Sequence, residues 1–183
     1  KAIYIDPIDG TTNFVHGIPH VAISIGVYEH GEGVMGVVYN PILDELFCAV
    51  RGEGACCNGK TIHVSTQDTL QQALIATGFP YSKVEQGADY AWVMQTMDKM
   101  LPHVRDIRRL GSAALDLCYV ARGTMDGYYE INLKPWDAAA GLIIAQEAGA
   151  LVTSVDGSPV HFENTTVIAA NPSLHQQIVQ QLQ

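Results

Sequence analysis

Between Val21 and Val64 the chain alternates strand-like runs with turn signals almost without interruption, and that run decides what can be built around it. VAISIGVYE, Val21 to Glu29, is rich in β-branched residues and predicts a strand. His30-Gly31-Glu32-Gly33 predicts a turn, and Val34 to Tyr39 the returning strand. DELFCAV, Asp44 to Val50, predicts a third strand, closed by Gly52 and Gly54. Asn58-Gly59 is a hairpin signal before Thr61 to Val64. The first third is therefore an antiparallel meander, and one of its faces must be covered by something apolar.

The remainder supplies covering elements. Gln86 to Leu101 carries apolar residues at helical spacing, from Tyr90 through Val93, Met94 and Met97. Ser112 to Arg122 predicts a helix with Ser112 as its N-cap and Gly123 just past its end. Pro135 to Glu147 predicts another, with Pro at the first position and Asp137 in the first turn. Ser173 to Leu182 predicts a last helix. Strands are expected at Ala73–Thr77, around Ile107, and at Gly127–Ile131, Ala150–Val155 and Thr166–Ala170. Strands and helices mix without strict βαβ alternation, which predicts layered sheets and helices with mixed strand directions. The 183 residues are enough for one domain over 1–183, with possible sub-lobes at 1–105 and 106–183.

Ten basic residues against 19 acidic ones leave a net charge of -9. That balance argues against direct binding of nucleic acid or anionic membrane, and it requires any phosphate site to have a local source of positive charge. No apolar stretch reaches the ~20 residues of a membrane span, and no secretory pattern is present. Cys48, Cys56, Cys57 and Cys118 lack CxxC spacing and predict free thiols in a cytoplasmic protein. The chain opens at Lys1 and enters strand by Ala2, which predicts a fragment or processed chain.

The chemistry concentrates in IDPIDGTTN, Ile5 to Asn13. Residues three apart on a strand point to opposite faces, so Asp6 and Asp9 are expected to converge only if the strand stops between them. Pro7 and Gly10 favour such a break. Two carboxylates that close resist joint ionisation, and a hard divalent cation such as Mg²⁺ would resolve the conflict. Gly10-Thr11-Thr12-Asn13 can open a helical turn whose free N–H groups receive phosphate. Each of these features also has a plainer reading. Asp-Pro and Asp-Gly are common turn dipeptides, Asp137 is a favourable dipole partner at a helix start, and Ser112 is a cap. Glu130, by itself, reads as a solvent-facing edge residue. His16 and His20 read as ordinary packing or surface residues.

Taken together, DPIDGTTNF and WDAAAGLIIAQEAG resemble the two signatures of the inositol monophosphatase family, Mg²⁺-dependent and lithium-sensitive phosphatases. NPILDELFCAVRGEGACCNG, RRLGSAALDLCYVARGTMDGYYE and VIAAN resemble the intervening family segments in order. The resemblance covers nearly the whole chain. It implies alternating helix and sheet layers (αβαβα in the complete fold), a homodimer, and a small phosphate ester as substrate. It implies that Asp6 bridges two metal ions, that Ile8 offers its carbonyl to one, and that Asp9 and Asp137 hold the second. Gly10 and Thr11 would hold the phosphate, with the Thr11 hydroxyl orienting the attacking water. Thr11 and Asp9 are thus the catalytic candidates. Gly111, Ser112 and Ala113 would contact the substrate alcohol and Glu130 a sugar or inositol hydroxyl, while Asp9 and Asp137 border the same substrate. Lys134 and Pro135 are assigned no chemistry.

The family's amino-terminal helical segment and Gly-Glu-Glu motif lie ahead of this first strand and are not in the sequence, so the outer helical layer is expected to be incomplete. Glu29, Glu32 and Glu45 belong to the meander and offer no substitute. The leading substrate is myo-inositol 1-phosphate. Fructose 1,6-bisphosphate, histidinol phosphate, NADP and 3'-phosphoadenosine 5'-phosphate are alternatives within the family. A non-enzymatic role in a transcription complex is an alternative of another class.

Overall fold

The computed structural model describes residues 1–162 and 165–183. The meander forms as an antiparallel sheet in sequence order, β1 (Ala2–Asp9), β2 (Ala22–Glu29), β3 (Glu32–Asn40), β4 (Glu45–Val50), β5 (Gly54–Cys57) and β6 (Lys60–Thr61). The strand expected over Thr61 to Val64 is only Lys60–Thr61, since Val64 N–H leaves the ladder for Ala148 O at 3.1 Å. The short β5 is an addition to the sequence reading, because Gly54 to Cys57 carries no alternation to betray it. A five-residue helix, α1 (Thr11–Val15), sits between β1 and β2.

β1 does not stop at Asp6. It runs on through Pro7 to Asp9, which corrects the expectation that the strand must end between the two acids. Asp6 faces Ser24 and Asp9 faces Ala22, so three steps on β1 match two on β2. This one-residue bulge turns both carboxylates toward one side. Pro7, having no N–H to give the ladder, occupies the bulged stretch.

The second sheet holds β7 (Leu74–Thr77), β8 (Asp106–Arg108), β9 (Gly127–Ile131), β10 (Leu151–Thr153) and β11 (Thr166–Ala170), in the order β10-β11-β9-β7-β8. β7 runs parallel to β8 and β9, whereas the remaining pairs are antiparallel, so this sheet is mixed. The helices are α2 (Ala88–Met100), α3 (Ala113–Ala121), α4 (Pro135–Glu147) and α5 (Pro172–Leu182). α5 starts one residue earlier than expected, at Pro172, and Asn171 caps it, its side chain accepting from Leu174 N–H at 3.0 Å.

Alternation along the second sheet separates two cores. Ala76, Tyr128, Val167 and Ala169 face one way, joining Val38 and Phe47 of the first sheet and Leu117 and Ile144 of α3 and α4. Ile75, Tyr129, Ile168 and Ala170 face the other way, against Met100 of α2 and Leu174 and Ile178 of α5. The layers therefore run sheet, α3 and α4, sheet, α2 and α5. α4 approaches the first sheet so closely that a Cβ on Gly36 would lie 2.6 Å from Ala140 O. The small residues Ala138 to Gly141 make that approach possible, and it seats the start of α4 beside β1. The other face of the six-stranded sheet exposes Ile3, Ile5, Ile23, Met35, Leu46 and Val50. No helix among the described residues is long and apolar enough to cross a membrane.

Candidate active site

The bulge of β1, the start of α1, the start of α3 and the start of α4 border one cleft, which Glu130 of β9 and the Gly78–Lys83 segment complete. Asp6, Asp9 and Asp137 meet there, each offering a carboxylate oxygen within 4.8 Å of the others. In each acid one oxygen is already tied down. Asp6 Oδ1 accepts from Ile8 N–H at 3.0 Å, and Asp137 Oδ2 accepts from Lys134 N–H at 2.8 Å. Asp9 Oδ2 accepts from the Ser112 hydroxyl at 2.5 Å and from Ala114 N–H at 2.9 Å. These bonds fix the carboxyl planes and leave the second oxygens for the cluster.

The electrostatics are unfavourable as they stand. Burial pushes Asp9 up to about 7, against the pull of its bonds from Ser112 and Ala114. Burial raises Asp6 and Asp137 too, with the Ile8 and Lys134 N–H groups opposing. Asp137 Oδ1 is buried and has no hydrogen-bond partner. An all-oxygen donor set with an orphaned carboxylate oxygen fits a hard divalent cation, which would remove both the repulsion and the vacancy in hydrogen bonding.

The local positive charge that an acidic protein needs comes from backbone. α1, α3 and α4 all begin at this cleft and present the positive ends of their dipoles to it, with Ala114 and Leu115 N–H of α3 already bonded to Asp9 and Ser112. Gly10, at φ 87, makes the turn into α1, and a Cβ there would lie 2.9 Å from His20 O. The Thr11 hydroxyl donates to Ile8 O at 2.9 Å, so its oxygen is left to accept a proton from a neighbouring donor such as water. Arg109 and Lys83 also line the cleft.

Gly111, Ser112 and Ala113 line the cleft beside the Gly10–Thr12 turn, where a Cβ on Gly10 would lie 3.3 Å from Gly111 O. Ser112 caps α3, accepting from Leu115 N–H at 3.3 Å, while its own proton goes to Asp9. Sequence reasoning gave Ser112 the cap and a substrate contact but not this link. Asn13 was also missed: its Nδ2 donates to His20 O and to Leu110 O, each at 2.8 Å, pinning the α1 turn to the loop before α3. Glu130 is not the solvent-facing edge residue suggested by its strand alone. It is 8% exposed, on a strand with neighbours on both sides, and it accepts from the Tyr128 hydroxyl. Its carboxylate fits only because residue 78 is glycine; a Cβ there would lie 2.0 Å from Oε2. Burial pushes Glu130 up to about 7. His16 is exposed, and His20 packs on the Tyr119 ring at 5.8 Å.

Residues 2–183 match the family described as the inositol monophosphatase family. The Nus factor SuhB of Vibrio cholerae is 46% identical over 168 residues, which are 92% of this chain and 62% of that protein. The chain thus spans less than two thirds of this relative's length. The crystal structure of the extragenic suppressor protein suhB from Bartonella henselae is 42% identical, with a TM-score of 0.93 over 99% of this chain and 69% of that one. The inositol monophosphatase of Anabaena (Nostoc) is 39% identical, with a TM-score of 0.93 over 98% and 70%.

Proposed function

Because the chain belongs to the inositol monophosphatase family, we propose that it hydrolyses the phosphomonoester of a small polyol with Mg²⁺ as cofactor, myo-inositol 1-phosphate being the first candidate. The observation that carries this reading is the convergence of Asp6, Asp9 and Asp137 beside the Gly10–Thr11 turn. Bound there, Mg²⁺ would supply Lewis-acid charge to the attacking and leaving oxygens. Asp6, Asp9, Asp137 and the Ile8 carbonyl would hold it. The N–H groups of Gly10 and Thr11 would seat the phosphoryl oxygens, whose charge the three helix starts favour.

Thr11 would orient the nucleophile. Its proton is committed to Ile8 O, so its oxygen accepts from a water and fixes that water's lone pair toward phosphorus. Asp9, whose Oδ2 is held by Ser112 and Ala114, would turn its other oxygen to the ion and the nucleophile. Gly111, Ser112 and Ala113 would flank the departing alcohol, and Glu130 would bind one of its hydroxyls.

The test is phosphate release from a panel of phosphomonoesters as Mg²⁺ is varied. Release that is favoured for the inositol ester and lost on chelation is expected. Folded protein that releases nothing at any Mg²⁺ concentration would overturn the assignment. A second reading, participation in a transcription complex, is favoured by the name Nus factor given to the Vibrio cholerae relative. On that reading Asp9→Asn would leave partner binding intact while abolishing any hydrolysis.

A further inference from the structure

One buried acid of the cleft is used by none of these roles. Asp116 lies in the first turn of α3, is 1% exposed, and borders the cleft beside Glu130 and Arg109. Its Oδ1 is buried without a hydrogen-bond partner. Every other residue of α3, AALDLCYVA, is apolar or aromatic and buried, so packing alone would favour another apolar side chain at this position. A buried carboxyl oxygen left unpaired is destabilising. Metal coordination does not account for it: the acids close enough to share an ion, among the described residues, are Asp6, Asp9 and Asp137.

We propose that Asp116 is a specificity residue which, together with Glu130, receives a substrate bearing adjacent hydroxyl groups. Asp116 and Glu130 both line this cleft, which the Gly10–Thr12 turn also borders. Glu130 is held in place by the Tyr128 hydroxyl and by the missing side chain at Gly78. Burial raises both carboxyls, and the nearby Glu130 charge raises Asp116 further, so the pair resists double ionisation. The protonated one donates and the ionised one accepts. A hydroxyl both donates and accepts, so a vicinal diol satisfies the pair, and a simple alcohol leaves one member unmet.

This inference rests on the phosphatase reading, and the test separates the two. Hydrolysis of myo-inositol 1-phosphate and of ethyl phosphate is compared in wild type, Asp116→Leu and Asp116→Asn. Leu suits the apolar helix, and Asn retains one donor and one acceptor; thermal melts confirm that both variants fold. Asp116→Leu is expected to lower the ratio of kcat/KM for inositol ester over ethyl ester by about tenfold or more, the size of one lost hydrogen bond to a charged group. Asp116→Asn is expected to recover most of it. An unchanged ratio, whether activity is kept or lost equally on both esters, would overturn the proposal. If wild type hydrolyses neither ester, the phosphatase reading falls and calorimetry with myo-inositol 1-phosphate decides the subsite alone. Weaker binding by Asp116→Leu than by Asp116→Asn supports it; equal or absent binding overturns it.

Discussion

The hydroxyl of Ser112 donates to Asp9 Oδ2 at 2.5 Å, joining the start of α3 to the bulge of β1 across 103 positions of sequence. One side chain thereby does two jobs, since its oxygen also caps α3 through Leu115 N–H. The two jobs have different observables. Ser112→Ala should lose ~1 kcal/mol of stability as a lost N-cap. It should also weaken Mg²⁺-dependent activity by roughly 10–100-fold, as expected when a ligand's supporting group is removed. Ser112→Thr, which keeps the hydroxyl, should restore both. Urea melts and Mg²⁺ titrations of turnover check the two separately.

Asp9→Asn should nearly abolish turnover while raising the melting temperature of the chelated protein. Asp9 is buried among like charges, so its removal relieves repulsion in the metal-free state. Wild type should gain stability as Mg²⁺ is added, by ~2.7 kcal/mol at 100 times Kd, and the variant should gain much less. Calorimetric melts with and without Mg²⁺ measure both effects. Equal Mg²⁺ stabilisation of the two proteins would remove Asp9 from the ligand set.

Glu130 predicts a pH dependence with a definite sign. Its pKa rises from 4.5 to about 7 on folding, so between those values the folded state binds more protons than the unfolded. Its contribution to stability therefore falls as pH rises from about 4.5 to 7. Glu130→Gln should remove this loss and be more stable than wild type at pH 8, by roughly 3 kcal/mol at most. Urea unfolding from pH 5 to 8 in chelator reads the difference in slope. In turnover assays the same variant should change substrate preference more than Mg²⁺ affinity.

Asn13→Leu should destabilise the protein by ~2 kcal/mol, because it leaves the part-buried carbonyls of His20 and Leu110 without their donor. The turn of α1 and the loop before α3 lose their common pin, so kcat should fall as well. A thermal melt unchanged from wild type would mean that the pin contributes nothing.

Gly78→Ala should act on Glu130 without touching the metal acids. The added Cβ occupies the place of the carboxylate, which must swing aside. KM for the polyol ester should rise, with little change in the Mg²⁺ requirement. Steady-state kinetics at saturating Mg²⁺ checks this.

Local pattern carried the parts of the fold that depend on local forces. Alternation marked β2 to β4, and Pro135 and Ser112 marked two helix starts, while the acids that meet in the cleft were marked by the resemblance of DPIDGTTNF and WDAAAGLIIAQEAG to the family signatures. Where an outcome depended on a distant partner, local pattern was silent or misleading. The bulge that aligns Asp6 with Asp9 exists because β1 pairs with β2 out of step, and no feature of residues 6 to 9 states the partner's register. Asp116 and Glu130 are ordinary acids in sequence; they became buried because α3 is enclosed between two sheets and β9 has neighbours on both sides. Residue types and their short-range spacing therefore determined which elements form and which chemistry is available. Tertiary packing decided which acids are desolvated and which oxygens are left unpaired, because desolvation and orientation are set by whatever else occupies the surrounding space.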